Sequence, residues 1–143
     1  MKKFRYLIGI SLVLSFGLSN VAIAKAPVCP SQNFNVFIKR FTQNTEIQKQ
    51  FTKTPLRWVE YYDEQYNPKP KVSYLALDAL SFPILLSEQE QKDNGITVTA
   101  KRKSKRQYVV STETLHSGAY TYELTFRKNK RCWYLTQVIN AST

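Results

Sequence analysis

One histidine, four glycines and two cysteines in 143 residues leave little material for the commoner site chemistries. A metal centre needs several His, Cys or carboxylate ligands at coordinated spacing. A single His116 beside two cysteines does not provide that set, so neither a metal site nor a cofactor is expected. A Ser-His-Asp arrangement could use only His116. That residue stands in Leu115-His116-Ser117-Gly118, a turn-like context, with no nucleophile-elbow sequence anywhere, and reads as a solvated turn residue. Gly9 and Gly17 fall near the N-terminus, so only Gly95 and Gly118 remain and no glycine-rich phosphate loop can be built. Cys29 and Cys132 are far from C-x-x-C spacing, which excludes the usual dithiol redox motif. There is no internal repeat, no low-complexity tract and no second long apolar run.

The one long apolar run, from about Leu7 to Leu18, follows Lys2, Lys3 and Arg5 and precedes Ala22-Ile23-Ala24. Charged, apolar and small-residue regions in that order are the signature of a secretory signal, with cleavage expected after Ala24. The core is shorter than the roughly 20 apolar residues of a spanning helix, and it ends in Ser19-Asn20. Ala26-Pro27-Val28 before Cys29 fits a lipoprotein box poorly. The reading is an exported chain, in the periplasm or released beyond it, without stable membrane insertion. Residues 25–143 would form a single disulfide-closed domain.

Removing 24 of the 143 residues leaves 119, enough for one ordinary core. Of the 21 basic residues, 18 remain against 10 acidic ones, a net charge of about +8. In an oxidising compartment Cys29 and Cys132 are expected to pair. Closing a loop of that length stabilises by about 4 to 5 kcal/mol in the chain-entropy account.

Phe34, Phe37, Ile38 and Phe41 follow at i, i+3, i+4 and i+7, which predicts a helix over 32–42 with Ser31 as its N-cap. A shorter helix over 45–51 follows, with Pro55 at its end or in the loop beyond. From Leu56 the period becomes two. Leu56, Trp58, Glu60 and Tyr62 fall on one face, and Arg57, Val59 and Tyr61 on the other, as in a strand. Asn67-Pro68-Lys69-Pro70 reads as a loop and 71–77 as a second strand. Ser87-x-x-Glu90 has capping-box spacing, and Gly95 stops the short helix it begins. Four segments then read as an antiparallel meander: 96–100, 107–112, 119–126 and 132–139. Helices first and a meander last predict an α+β fold, one or more N-terminal helices packed on a curved antiparallel sheet.

The F-x-x-F-I-x-x-F helix, the short second helix and the closing Tyr-Thr-Tyr-Glu-Leu-Thr-Phe-Arg-Lys-Asn-Lys-Arg-Cys-Trp-Tyr-Leu resemble the nuclear transport factor 2-like, cystatin-like α+β fold. The chain is also similar to exported bacterial families of unknown function built on that plan. The resemblance spans most of residues 31–139. It departs at the last turn, where Lys128-Asn129-Lys130 replaces the family's usual glycine before the Trp. The superfamily contains isomerases, dehydratases, carriers and binding modules, so the fold implies no single function.

Two surfaces stand out as candidate sites. An aromatic concavity could form from Trp58, Glu60, Tyr62, Tyr74 and Tyr122, suited to a small ligand. With a buried carboxylate among Glu60, Asp78 and Glu123 it could also serve acid–base chemistry. The ordinary reading of each acid is a solvated or paired strand residue, and of the aromatics, core. The second surface is cationic: Lys101, Arg102, Lys103, Lys105 and Arg106 in one run, Arg127, Lys128, Lys130 and Arg131 in another. Alternate turns of a meander share one end of the sheet, so the two runs should project together and attract an acidic protein or an anionic envelope surface. Nucleic acid suits the charge but not the compartment. The ordinary reading is that these cations keep hairpin tips soluble and guard edges. The expectation is a non-enzymatic exported binding or accessory protein, an immunity-like role being one concrete form. The alternatives are a small-ligand carrier or, behind it, an enzyme.

Overall fold

The structure, a computed structural model, describes residues 26–62, 69–115 and 121–141, with Tyr62 described in its backbone only. The expected signal segment and His116 lie outside the described residues. Helix α1 runs Phe34–Gln43 and α2 Thr45–Gln50. Strand β1 (Thr52–Tyr62) is followed by β2 (Lys69–Leu75), a 3-10 turn at Leu77–Ala79 and α3 (Glu88–Asp93). Strands β3 (Ile96–Ser104), β4 (Gln107–Thr114), β5 (Tyr122–Asn129) and β6 (Cys132–Asn140) complete a six-stranded sheet of order β2-β1-β6-β5-β4-β3. The fold is α+β, and its last four strands are the antiparallel meander expected. Among the described residues the one parallel contact joins β1 to β6, so β1 and β6 lie at the middle of a mixed sheet.

The phenylalanine stripe decides how the helices sit. Phe34, Phe37 and Phe41 are all but excluded from solvent. Phe34 stacks on Tyr108 of β4 at 3.9 Å and Phe41 meets Phe126 of β5 edge-on at 5.2 Å between centroids. Phe51, just past α2, packs edge-on to Phe37 at 5.9 Å. Each such ring withdrawn from water contributes about 1.5 to 3 kcal/mol. Trp133 adds a polar anchor, its indole N–H donating to the Gln32 carbonyl at 2.9 Å. The Cys29–Cys132 disulfide is formed beside it, across a Cα separation of 5.5 Å. Among the described residues no helix is long and apolar enough to cross a membrane.

Several sequence expectations shift. Asn33, not Ser31, caps α1. Its Oδ1 accepts from the Asn35 and Val36 amides, a bidentate fit that the Ser31 hydroxyl gives up by accepting from the Asn33 amide. Pro55 lies inside β1, where the register with β6 shifts between Thr52 and Arg57 and no ladder donor is required of it. Lys69 and Pro70 belong to β2, whose place at the sheet edge tolerates a proline. β3 extends through Lys101–Ser104 and β5 through Arg127–Asn129, so three of the five cations in the first run and two of the four in the second are strand and the remainder are turn.

Gly95 takes φ +61, as its position after α3 demands. Lys130, the last residue of the Lys128-Asn129-Lys130 segment that replaces the resembled family's turn glycine, takes φ 52. A side chain in that region costs about 1 to 2 kcal/mol.

Candidate functional site

The two cationic runs meet at one end of the sheet. The turns β3–β4 and β5–β6 are separated by one reversal of the chain, and the Lys128 amide donates to the Arg106 carbonyl at 2.9 Å. Arg127 stands opposite Gln107 in register. Strand alternation spreads the charges over both faces: Lys101 and Arg127 on the outer face, Arg102 and Lys128 on the face that the helices cover. Eight of the nine side chains are exposed, and Lys128 is half-buried. Its ammonium sits 5.4 Å from the Trp133 ring centroid and 3.4 Å from the Gln32 carbonyl oxygen. Among the described residues none of the nine pairs with a carboxylate. Arg40 adds to the same end, where its guanidinium donates to the Pro30 carbonyl at 2.6 Å.

The acids of this half of the chain are elsewhere. Glu88, Glu90 and Asp93 belong to α3, which leads through Gly95 into the start of β3. Glu113 faces Thr97 near that same far end. The sheet is therefore polarised along its strands, cationic at the hairpin tips and acidic at α3. Such a separation focuses the field at the tips and attracts anions there.

On the helix-covered face a cavity of about 430 Å³ opens between β1, β2 and the segment 79–84. Trp58, Glu60 and Tyr122 line it together with Ser73, Leu80 and Ile84. The Trp58 indole N–H donates to Glu60 Oε1 at 3.1 Å, and its ring meets Tyr122 edge-on at 6.3 Å. Tyr74 does not join them. Ser73 is the residue opposite Trp58, so alternation turns Tyr74 to the outer face, where it is 67% exposed. The Tyr62 side chain lies outside the described residues. Of the three candidate acids only Glu60 faces the cavity: Asp78 is exposed in the 3-10 turn, and Glu123 is exposed opposite Ser111 on the outer face.

The residue that shapes this cavity was not singled out from the sequence. Gln48 is fully buried in α2. Its Nε2 donates to the Leu85 carbonyl at 2.7 Å, and its Oε1 accepts from the Ile84 amide at 2.8 Å and the Leu85 amide at 3.3 Å. One side-chain amide thus substitutes for a strand neighbour and holds the irregular cavity wall against the helices. A glutamine next to Ile47 on a six-residue helix carries no pattern that marks it as buried.

No protein-family model matches the sequence, and no curated protein matches it. Solved structures do. A nuclear transport factor 2-like protein from Bacteroides fragilis aligns over 82% of this chain at 12% identity with a TM-score of 0.54, and this chain spans about half of that one, 50%. A cystatin-like protein from Bacteroides caccae aligns over 80% of both chains at 16% identity and a TM-score of 0.49. A nuclear transport factor 2-like protein of unknown function from Silicibacter pomeroyi covers 77% of this chain and 89% of its own, at 9% identity and 0.44. At such identities the likeness concerns architecture alone, and the first of these matches gives that architecture as the nuclear transport factor 2-like α+β fold.

Proposed function

We propose that the protein is a non-enzymatic binding protein that works outside the cytoplasm and contacts an acidic protein partner through the cationic hairpin end. The observation that carries this reading is the Lys128-to-Arg106 backbone bond, which sets two separate cationic runs side by side. Nine cations without carboxylate partners among the described residues form a surface whose attraction for anions is long-ranged and salt-sensitive. The Cys29–Cys132 disulfide and the signal-like N-terminus support the extracytoplasmic setting.

The test is a crosslinking pull-down from the native envelope at low and high salt. It compares the parent with a variant in which Lys103, Lys105, Lys130 and Arg131 are changed to Glu. All four are exposed, so the variant should melt near the parent temperature while losing the captured partner. Capture that survives the reversal in a folded variant removes the proposal. Salt-labile capture of lipid or envelope polymer alone reassigns the surface to the envelope.

The cavity supports a second reading, a carrier of a small, largely apolar ligand with one polar group directed to Glu60. Leu80→Trp should fill the cavity and abolish ligand-dependent change in Trp58 emission. A ligand signal that persists in that variant sinks this reading.

A further inference from the structure

We propose that the partner docks as an extended segment added antiparallel to the free edge of β3, its apolar side chains in the groove beside α1 and its carboxylates beside the β3 lysines. This rests on the reading that the cationic end binds an acidic protein, and it names how.

The register settles which backbone groups are available. The Leu115 amide donates to the Gly95 carbonyl at 3.1 Å, which makes Gly95 and Leu115 a hydrogen-bonded pair. From Ile96 opposite Thr114 to Arg102 opposite Tyr108 the pairing runs unshifted. Hydrogen-bonded and non-bonded pairs alternate in an antiparallel ladder. Thr97, Thr99 and Lys101 therefore direct both backbone groups at β4, while Val98, Ala100 and Arg102 direct theirs away from the sheet. β3 is the last strand, and no described residue hydrogen-bonds those outward groups. Ala100 and Arg102 are exposed and Val98 half-exposed. The opposite edge is different, because β2 carries Pro70.

Side chains at this edge match the backbone opening. Val98 and Ala100 face a groove of about 410 Å³, walled by Ile38 and Thr42 of α1 and by Gln91 of α3. A strand residue opposite Val98 or Ala100 would share their face and insert an apolar side chain there. Its neighbours would turn to the outer face beside Thr99 and Lys101, with Lys103 and Lys105 just beyond. Glu88 lines the α3 end of the groove and Lys39 its α1 wall, so carboxylates are disfavoured toward α3 and favoured away from it. Strand addition of this kind takes affinity from main-chain bonds and specificity from alternate side chains.

In an antiparallel addition the groove-facing residues are also those whose N–H groups point at β3. A capped eight-residue peptide alternating Val and Glu is therefore the probe, measured by fluorescence anisotropy with the full chain. N-methylation of its valines should weaken binding by at least about tenfold, since each net main-chain bond contributes about 1 kcal/mol. N-methylation of its glutamates should leave binding unchanged. Ala100→Pro removes an outward N–H without touching the β3–β4 ladder, and should reduce binding similarly with circular dichroism unaltered. Should that variant misfold, the two methylated peptides decide alone. Poly-glutamate, charged but without a strand habit, reports the cationic end by itself. If it binds and both methylated peptides bind alike, strand addition is wrong and the cationic surface stands. If neither the peptide nor poly-glutamate binds, both proposals fall.

Discussion

The helix-covered face of the sheet is solid in one half and open in the other. Over β4, β5 and the start of β6 it is filled by Phe34, Phe37 and Phe41, whose rings interlock with Tyr108, Phe126 and Trp133. Over β1 and β2 the same face meets Ala79, Leu80, Ser81, Pro83 and Ile84, and a cavity remains. The segments that cover the two halves differ. A helix with three phenylalanines on one stripe delivers rings at regular intervals. An irregular segment held by a single glutamine delivers small residues and a turn. Packing in this fold follows the periodicity of the layer above the sheet.

The sharpest way to break that contrast is to empty the solid half. Phe37→Ala should cost about 3 to 5 kcal/mol in denaturant unfolding, since a ring is lost with no room for collapse. Leu80→Ala at the cavity rim should cost about 1 kcal/mol or less, because the site is already open. Equal costs would mean the two halves are packed alike. Gln48→Ala comes next. It removes the buried hydrogen bonds to the Ile84 and Leu85 amides and the Leu85 carbonyl and should cost about 2 to 4 kcal/mol. Its signature is faster hydrogen exchange at Ile84 and Leu85 with little change in β4–β5 amides. Uniform exchange across the chain would refute a local role.

What the sequence made legible follows the same division. Phe34, Phe37, Ile38 and Phe41 announce their helix because apolar spacing is a property of the chain itself. Ser87 and Glu90 announce α3 for the same reason, and both halves of the capping box form. The adjacency of the two cationic runs was legible because a meander obliges alternate turns to share an end. Pro55 misled, since its tolerance inside β1 depends on a register shift against a strand 80 residues later. Tyr74 misled by one residue, because only pairing with Trp58 fixes which face a strand shows. Gln48 was invisible, its partners lying 36 and 37 residues along the chain.

Two smaller effects refine the contrast at its margins. Lys130→Gly should stabilise by about 1 kcal/mol, read as a higher midpoint, by relieving a side chain at φ 52. No gain would show the turn relaxed around lysine. Smallest is the response of α3 to acid. The Glu90 carboxyl is held below its ordinary value by the Ser87 hydroxyl first and the Ser87 amide second. A depressed carboxylate stabilises the folded state above the unfolded pKa and loses that contribution as pH falls through the folded one. Protection of the Ser87 amide should therefore hold at neutral pH and fade in the acid range. Glu90→Gln should remove that pH dependence, and an unchanged profile in the variant would assign it elsewhere.

The parallel pairing of β1 with β6 has a consequence for the order of events in folding. Thr52 meets Leu135 and Trp58 meets Val138, so the central contacts of the sheet join residues some eighty positions apart. Such long-range contacts slow folding, because chain entropy is lost before they form. While the ribosome is still making the chain, β1 has only β2 beside it, and a two-stranded ribbon is marginal in water. The meander is complete only when its own last strand arrives, and that strand also gives the first its second neighbour. Removing Cys132–Asn140 would thus open one edge of β1 and one edge of β5 together, leaving each strand a single neighbour.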